Sequence, residues 1–321
     1  MSLEERTVTE RSGSRPSAHL KAVLQALLVT FLWSTSWVLI KIGLEEIPPL
    51  TFAGLRYALA FLILLAWARA SGRLAALRKV EGRAWGQLIL LGLLLYAVTQ
   101  GAQFMGLHYL PAITLSLILS FAPAAVAVLG ILTLGERLIG RQWAGIGLFL
   151  LGALLYFGGE ALPAGQALGL AIGVVGLLTN AVSAVLGRAV NATRRLEPLT
   201  VTLVSMGVGS AALLGTGVAT QGLPAVSLKG WLIIGWLAAV NTAFAFTLWN
   251  RTLRELPAVE SSIINNTMLI QIAVLAWVFL GERPGGREMA GLALAAVGAL
   301  LVQLQGRLTA KGRPGPAKRG R

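Results

Sequence analysis

The sequence predicts an all-α integral membrane protein with ten transmembrane helices, arranged as two inverted five-helix repeats. Three observations lead to this fold class. The chain is 56% hydrophobic and only 12% charged, with a mean hydropathy of +0.75, whereas soluble domains carry about 25% charged residues. Apolar runs of about 18 residues or more, the length that a helix needs to cross a bilayer, recur along the chain. A block of the first half also returns in the second half.

Ten apolar spans can be placed in order along the chain. Most have about 20 residues, which at a rise of about 1.5 Å per residue crosses a hydrocarbon core of about 30 Å. Short segments with Gly, Pro or charged residues separate them. In the first half we expect spans at Leu20–Ile42, Leu50–Ala70, Trp85–Leu107, Pro111–Leu134 and Arg141–Phe157. In the second half we expect them at Gly165–Gly187, Pro198–Thr220, Trp231–Leu253, Pro257–Leu280 and Arg287–Gln305.

An internal repeat organises these spans. Leu110–Leu155 aligns without a gap on Leu256–Leu301 at an offset of 146, with 21 identical residues among 46. We therefore expect one repeat over residues 20–158 and a second over 165–305, between an N-terminal arm (1–19) and a basic tail (306–321). Because five spans is an odd number, the second copy must enter the membrane upside down. Inverted repeats hold a substrate site at their interface near the bilayer midplane, which predicts a carrier.

The basic residues predict the orientation. If the N-terminus is cytoplasmic, 22 of the 27 Lys and Arg residues fall on the cytoplasmic side and 5 on the other. We therefore expect an inner-membrane protein with both termini in the cytoplasm. The net charge of +14 belongs to membrane loops and tails, so the lipid bilayer is the expected partner and nucleic acid is not.

The residue types that are missing exclude several classes of function. The chain has no Cys, its 13 acidic residues are all Glu, and it has two His residues. We therefore expect no metal, no cofactor and no catalytic residue, because an intramembrane enzyme needs a nucleophile–base pair or a metal cluster. The chain has no phosphate-binding loop, so no ATP hydrolysis by this chain and no ATPase subunit are implied. A channel or a non-transporting membrane protein remains open as an alternative.

Several motifs resemble the drug/metabolite transporter superfamily, specifically two tandem modules of the EamA type. These are Trp33-Ser-Thr-Ser-Trp37, Arg56, and the Leu-Pro-Ala and Leu-Gly-Glu-Arg motifs that occur once in each repeat. The resemblance implies ten helices and transport of amino acids, other metabolites or drugs. It favours an amino acid as the substrate and export as the direction. The resemblance also implies a kink at Pro123, which the second copy lacks because Leu269 takes its place.

Polar and aromatic residues within the spans are the candidates for binding a small-molecule substrate, because polar groups in lipid usually face the bundle interior. Ser262, Asn266 and Gln271 can lie on one helix stripe, which Ser116 and Ser120 would face across the repeat interface. Hydrogen bonding that only joins helices is the alternative for polar residues, and packing is the alternative for aromatic ones. The full candidate set is Trp33, Trp37, Ser116, Ser120, Phe121, Asn180, Asn241, Ser262, Asn265, Asn266 and Gln271.

Charged residues at the span ends complete the predictions. Arg56 can snorkel to the outer interface, pair with Glu45 or Glu46, or bind a substrate carboxylate. Glu260, just inside span 9, is the best-placed candidate for proton coupling, and facilitated diffusion is the alternative. The repeated Glu136 and Glu282 are expected to have a structural role, as negative charge at the start of the spans that follow them and in pairing with the adjacent Arg.

Rows of small residues in the last span of the second repeat predict close helix contacts. Gly291, Ala295 and Ala299 are spaced four residues apart and therefore lie on one face of the helix.

Overall fold

The computed structural model describes residues 16–134, 140–158, 164–192, 196–256 and 258–303, and all regular elements within these ranges are helical. The helices of the first half are α1 (Pro16–Gly43), α2 (Pro49–Ala70), α3 (Gly82–Gly92), α4 (Gln100–Tyr109), α5 (Ala112–Leu119), α6 (Ala122–Leu134) and α7 (Gly140–Phe157). Those of the second half are α8 (Ala164–Ala192), α9 (Pro198–Gln221), α10 (Leu228–Ala238), α11 (Ala245–Glu255), α12 (Ala258–Leu280) and α13 (Gly286–Gln303). The π-helical turns π1 (Leu93–Thr99) and π2 (Ala239–Phe244) join α3 to α4 and α10 to α11, and a 3₁₀ helix covers Arg73–Lys79.

The described helices are long and apolar enough for a multi-pass membrane protein. Six stretches within the described ranges meet the length and composition of a membrane span, namely His19–Gly43, Pro49–Ala70, Gly82–Tyr109, Gly165–Gly187, Pro198–Gln221 and Ile263–Leu280. Ala112–Val126 and Leu228–Phe244 are shorter apolar helices. Each of the ten expected spans coincides with one helix or with consecutive helices, but the count of ten crossings stays a prediction.

The two halves interlock through equivalent helices. Helix α1 packs against α11 and α12 of the second half. Its counterpart α8 packs against α4, α5 and α6 of the first half. Helix α2 packs along α9, and α7 packs along α13. This reciprocal pattern is the one expected of two halves related by a two-fold axis, because each first helix then meets the third and fourth spans of the other half.

Glycines bring α7 and α13 into direct backbone contact. A Cβ atom at Gly152 would lie 2.5 Å from both the Ala295 nitrogen and the Gly291 oxygen, and one at Gly298 would lie 2.5 Å from the Phe149 nitrogen. The 146-residue offset relates Gly152 to Gly298, so the contact is two-fold symmetric. The close contact that the small-residue row of α13 predicts is therefore confirmed.

The fourth expected span is broken, whereas its counterpart is continuous. Helix α5 ends at Leu119, α6 begins at Ala122, and Pro123 follows directly. Since proline has no N–H to donate to the preceding turn, the α-helical ladder is interrupted there. Helix α12 continues through Leu269 without a break. The structure thus shows the kink in one copy only, as the resemblance implies.

Candidate functional site

The two π-helical turns occupy equivalent places in the two halves. Leu93 and Ala239, their first residues, are separated by the offset of the repeat, 146. Each turn contacts the first two helices of the opposite half: π1 meets α8 and α9, and π2 meets α1 and α2. The Thr99 hydroxyl in π1 bonds to Thr179 Oγ1 of α8 at 3.0 Å. Because π-turns are frequent at functional sites, this symmetric pair marks the interface between the halves as the candidate site.

Arg56 lies inside this interface. Its side chain is only 4% exposed, so it does not snorkel to the membrane surface. Nε and Nη2 donate to the Thr242 hydroxyl of π2 at 3.4 and 3.3 Å. The guanidinium carbon lies 5.0 Å from the centre of the Tyr57 ring and 5.9 Å from that of Phe104. The charge is therefore buried among one hydroxyl and two aromatic rings.

The carboxylates expected as partners of Arg56 are engaged elsewhere. Glu45 forms an ion pair with Lys229 at 3.9 Å, and Glu46 accepts a hydrogen bond from the Ser227 hydroxyl at 2.9 Å. Both glutamates belong to the exposed loop after α1. The expectation that Arg56 pairs with one of them is wrong, because Arg56 points into the bundle and they remain at its rim.

Trp33 and Asn241, two predicted site residues, contact each other. Trp33 Nε1 donates to the Asn241 backbone oxygen at 3.1 Å, and the Asn241 amide donates to the Leu32 oxygen and to Thr35 Oγ1. The Trp33 ring lies 5.3 Å from that of Trp249. Asn241 Oδ1 is buried and has no hydrogen-bond partner among the described residues. Within the described part of the interface, this amide oxygen is an unused acceptor.

Gln271 contacts α1, whereas the sequence predicted that it would face Ser116 and Ser120. Its Oε1 accepts from Ser34 at 3.0 Å, and its Nε2 lies 3.3 Å from Thr30 Oγ1. Ser116 and Ser120 donate to carbonyl oxygens of their own helix, at 2.8 and 2.7 Å. Gln271 thus joins α12 to α1, and its Nε2 also donates to Thr267 Oγ1 of its own helix at 3.0 Å. A contact of Gln271 with substrate stays a prediction.

Asn265 is exposed although it lies on the inward face of α12. Ser261, Ile272 and Ala276 are buried on the same face, at helical spacings of four, seven and eleven residues from Asn265. The Ser261 hydroxyl, one turn away, is buried and finds no hydrogen-bond partner in the described part of the chain. The Asn265 side chain is therefore accessible at this end of α12, although the same helix face is buried further along.

The other predicted site residues are less closely gathered. Trp37 is buried in the main core, Phe121 stacks on Phe149 at 4.5 Å, and Asn180 and Asn266 are half-buried. The side chains of Ser262 and Glu260, and the whole of Glu136, lie outside the described part of the chain.

Glu282 binds a helix from the other half. Its two carboxylate oxygens accept from the backbone amides of Ala112 and Ile113 at 2.6 and 3.0 Å. It therefore satisfies the first turn of α5, where the expectation placed it at the start of its own following helix. The contact borders a cleft of about 500 Å³ that Lys41, Glu45 and His108 also line. A signal for this contact was present in the sequence, because the Leu-Pro-Ala and Leu-Gly-Glu-Arg motifs are repeated together. Leu-Pro-Ala starts a helix without a capping side chain, and the Glu of Leu-Gly-Glu-Arg can supply the missing acceptor.

Known proteins similar to this chain are membrane transporters. The chain is 31% identical over 229 residues, 69% of either chain, to the "Uncharacterized transporter YvbV" of Bacillus subtilis. It is 27% identical to the "Uncharacterized inner membrane transporter YedA" of Escherichia coli, over 84% of this chain and 85% of that one. A "Probable amino-acid metabolite efflux pump" of Escherichia coli is 28% identical, over 85% and 91%.

The fold and the family also have direct matches. A solved crystal structure superposes with a TM-score of 0.63 at 20% identity, covering 90% of this chain and 99% of that one. It shares the fold. The profile of the EamA-like transporter family matches twice in tandem, at residues 20–158 and 159–304. The chain is therefore a multi-pass membrane transporter and belongs to the EamA-like transporter family.

Proposed function

We propose that this transporter exports a small organic metabolite, most specifically an amino acid, across the inner membrane by alternating access, with both termini in the cytoplasm. The observation that carries this proposal is the symmetric pair of π-turns, because each half uses its irregular turn to hold the first two helices of the other. Inverted-repeat carriers bind substrate at such an interface and move one half against the other.

Support for the substrate class comes from a relative and from the side chains. One relative of 28% identity is named as a probable amino-acid metabolite efflux pump. The interface offers a buried cation at Arg56 and, at Asn241 Oδ1, an acceptor that no described residue uses. An amino acid carries complementary groups, a carboxylate and an ammonium. A drug or another metabolite is the alternative cargo.

Polar contacts between the halves support a state that is closed at the predicted external end. Gln221 Oε1 accepts from the Leu50 amide at 2.8 Å, and the Thr51 hydroxyl donates to the Gly222 oxygen at 2.9 Å. The carboxylate of Glu282, which follows α12, adds a third link by accepting a hydrogen bond from the Ala112 amide of α5. Asn265 is exposed and lies near the start of α12, at the predicted cytoplasmic end. By the same 146-residue offset, we expect Glu136 to bind the start of α12 when the cytoplasmic end closes.

The energy source is either a substrate gradient or a proton gradient. Glu260 is the one candidate for proton coupling that sequence reasoning gives within a span. If Glu260→Gln transports at the wild-type rate across a range of pH, proton coupling through this residue is excluded and facilitated diffusion remains.

Counterflow into proteoliposomes with twenty labelled amino acids, with and without a pH gradient, tests the function. We expect saturable exchange of one class of amino acid, and slower exchange in Asn265→Leu. The matched control is Gln87→Leu, which removes an exposed amide of α3 that is outside the candidate set. No exchange of any amino acid by folded protein would refute the amino-acid assignment and redirect the search to drugs and sugars. Unsaturable ion currents would favour a channel.

A further inference from the structure

We infer that Arg56 binds an anionic group of the transported substrate, which is the carboxylate if the substrate is an amino acid. The inference rests on the proposed transport function and adds a specific contact to it. It predicts that this carrier discriminates by the charge of one functional group.

The positive charge of Arg56 has no counterion among the described residues. Its hydrogen bonds go to one neutral hydroxyl, and the nearby glutamates bind Lys229 and Ser227. An uncompensated charge at this depth is expensive, and ionisable groups inside membranes therefore mark substrate pathways. The two flanking rings lower this cost only in part. An anion from the substrate would supply the missing charge.

The geometry leaves donors available for such an anion. A guanidinium has five N–H groups, and the two contacts to Thr242 are long, at 3.4 and 3.3 Å. The Thr242 hydroxyl itself donates to the Leu237 oxygen at 2.8 Å, which fixes it in place. Nη1 has no bond to a described residue. A carboxylate can therefore engage Arg56 through Nη1 while Thr242 keeps the guanidinium in its plane.

The site is single although the protein is two-fold related. Pro49-Leu-Thr51 corresponds to Pro198-Leu-Thr200, which pairs Arg56 with Ser205. The Ser205 hydroxyl is buried and donates to the Val201 oxygen of its own helix at 2.6 Å. The second half therefore offers no equivalent cation at this place, and one anion binds per chain.

Competition in proteoliposomes tests the inference. The probe is the labelled amino acid that the wild-type protein carries fastest, and the competitors are the same amino acid, its amide and its decarboxylated amine. A charge-assisted contact corresponds to about a 10- to 100-fold preference for the carboxylate. We expect that preference in the wild type, its loss to within about threefold in Arg56→Gln, and partial retention in Arg56→Lys. Arg69→Gln, at the exposed end of the same helix, is the matched control and should keep the preference.

The ratio between carboxylate and amide separates binding from folding. If Arg56 is only structural, Arg56→Gln lowers all transport and leaves the ratio unchanged, which overturns the inference. Should Arg56→Gln fail to fold, Thr242→Val serves instead, and we expect it to weaken carboxylate inhibition several-fold while amide inhibition stays constant. An unchanged ratio in Thr242→Val and in Arg56→Lys overturns the inference too.

A readout without transport distinguishes the two proposals. Heat stability of the purified protein is measured with each of twenty amino acids and with its amide, because a ligand that binds the folded state raises its stability. Stabilisation by carboxylates only, lost in Arg56→Gln, supports the anion site even if no amino acid is carried. If amino acids are carried but their amides bind equally well, the transport function stands and the anion site is refuted.

Discussion

Replacing Gly152 by alanine is expected to force α7 away from α13. The new methyl would lie 2.5 Å from the Ala295 nitrogen and the Gly291 oxygen, both of which are backbone atoms. Ordinary contacts of a Cβ atom begin at 3.4 Å, so the helices must separate by the difference, about 0.9 Å. No side-chain rotation relieves this clash.

The magnitude follows from the cost of overpacking. Inserting a methyl group into a packed interface costs about 1–3 kcal/mol, and alanine regains up to about 1 kcal/mol of helix propensity over glycine. With that gain taken in full, we expect Gly152→Ala to be less stable than wild type by up to about 2 kcal/mol. Gly298→Ala should behave alike, because it faces Phe149 and Gly145 backbone atoms in the symmetric place.

The assay is heat-induced unfolding of the purified protein in detergent. Gly147→Ala is the matched control, since it lies on the same helix and a methyl group added there would have no neighbour within 4 Å. We expect the control to match or exceed wild-type stability. If Gly152→Ala is as stable as Gly147→Ala, the direct backbone contact between α7 and α13 is refuted.

Three further predictions concern the ends of the bundle and its polar links. Glu282→Gln should lose about 1–3 kcal/mol of stability to unfolding, because a charged acceptor of two α5 amides becomes neutral. Glu45→Gln, the control from an exposed ion pair, should lose at most about 1 kcal/mol. Equal melting temperatures of the two variants would contradict the role of Glu282 in holding α5. Gln271→Leu should destabilise by about 1 kcal/mol in the same melting assay, because it removes the hydrogen bonds to α1; an unchanged melting temperature would count against it. The chain has no Cys, so a single introduced Cys can report on which side of the membrane it lies. A membrane-impermeant maleimide added to intact cells should label Leu223→Cys, at the predicted external end, but not Ser71→Cys, at the predicted cytoplasmic end. The reverse pattern would invert the predicted orientation.

Features that depend on local sequence were predicted well. Hydropathy located the apolar helices, since a span depends on an unbroken run of about 20 residues. A close helix contact at Gly291 could be predicted because small residues at helical spacing lie on one face, although the sequence did not identify α7 as the partner. The break before Pro123 could be predicted because proline removes a donor.

Features that depend on distant partners were not predicted. Glu282 binds amides 170 and 169 residues away in the chain, and Arg56 meets Thr242 across 186 residues. Spacing along the sequence carries no information on such pairs. The position of Gln271 against α1 was missed for the same reason, because a helix stripe fixes a direction but not the neighbour that it faces.

The symmetric π-turns bear on the ancestry of the chain. A π-turn closes its hydrogen bond over one residue more than an α-helical turn does, as a helix with one inserted residue would. The two turns begin 146 residues apart, yet only Ala97 and Ala243 are identical between the aligned stretches. The side chains of the two segments thus differ, whereas the π-helical backbone conformation is the same in both copies. A single insertion that preceded the gene duplication explains the shared register with one event. On that account the irregular turn is older than the fused chain.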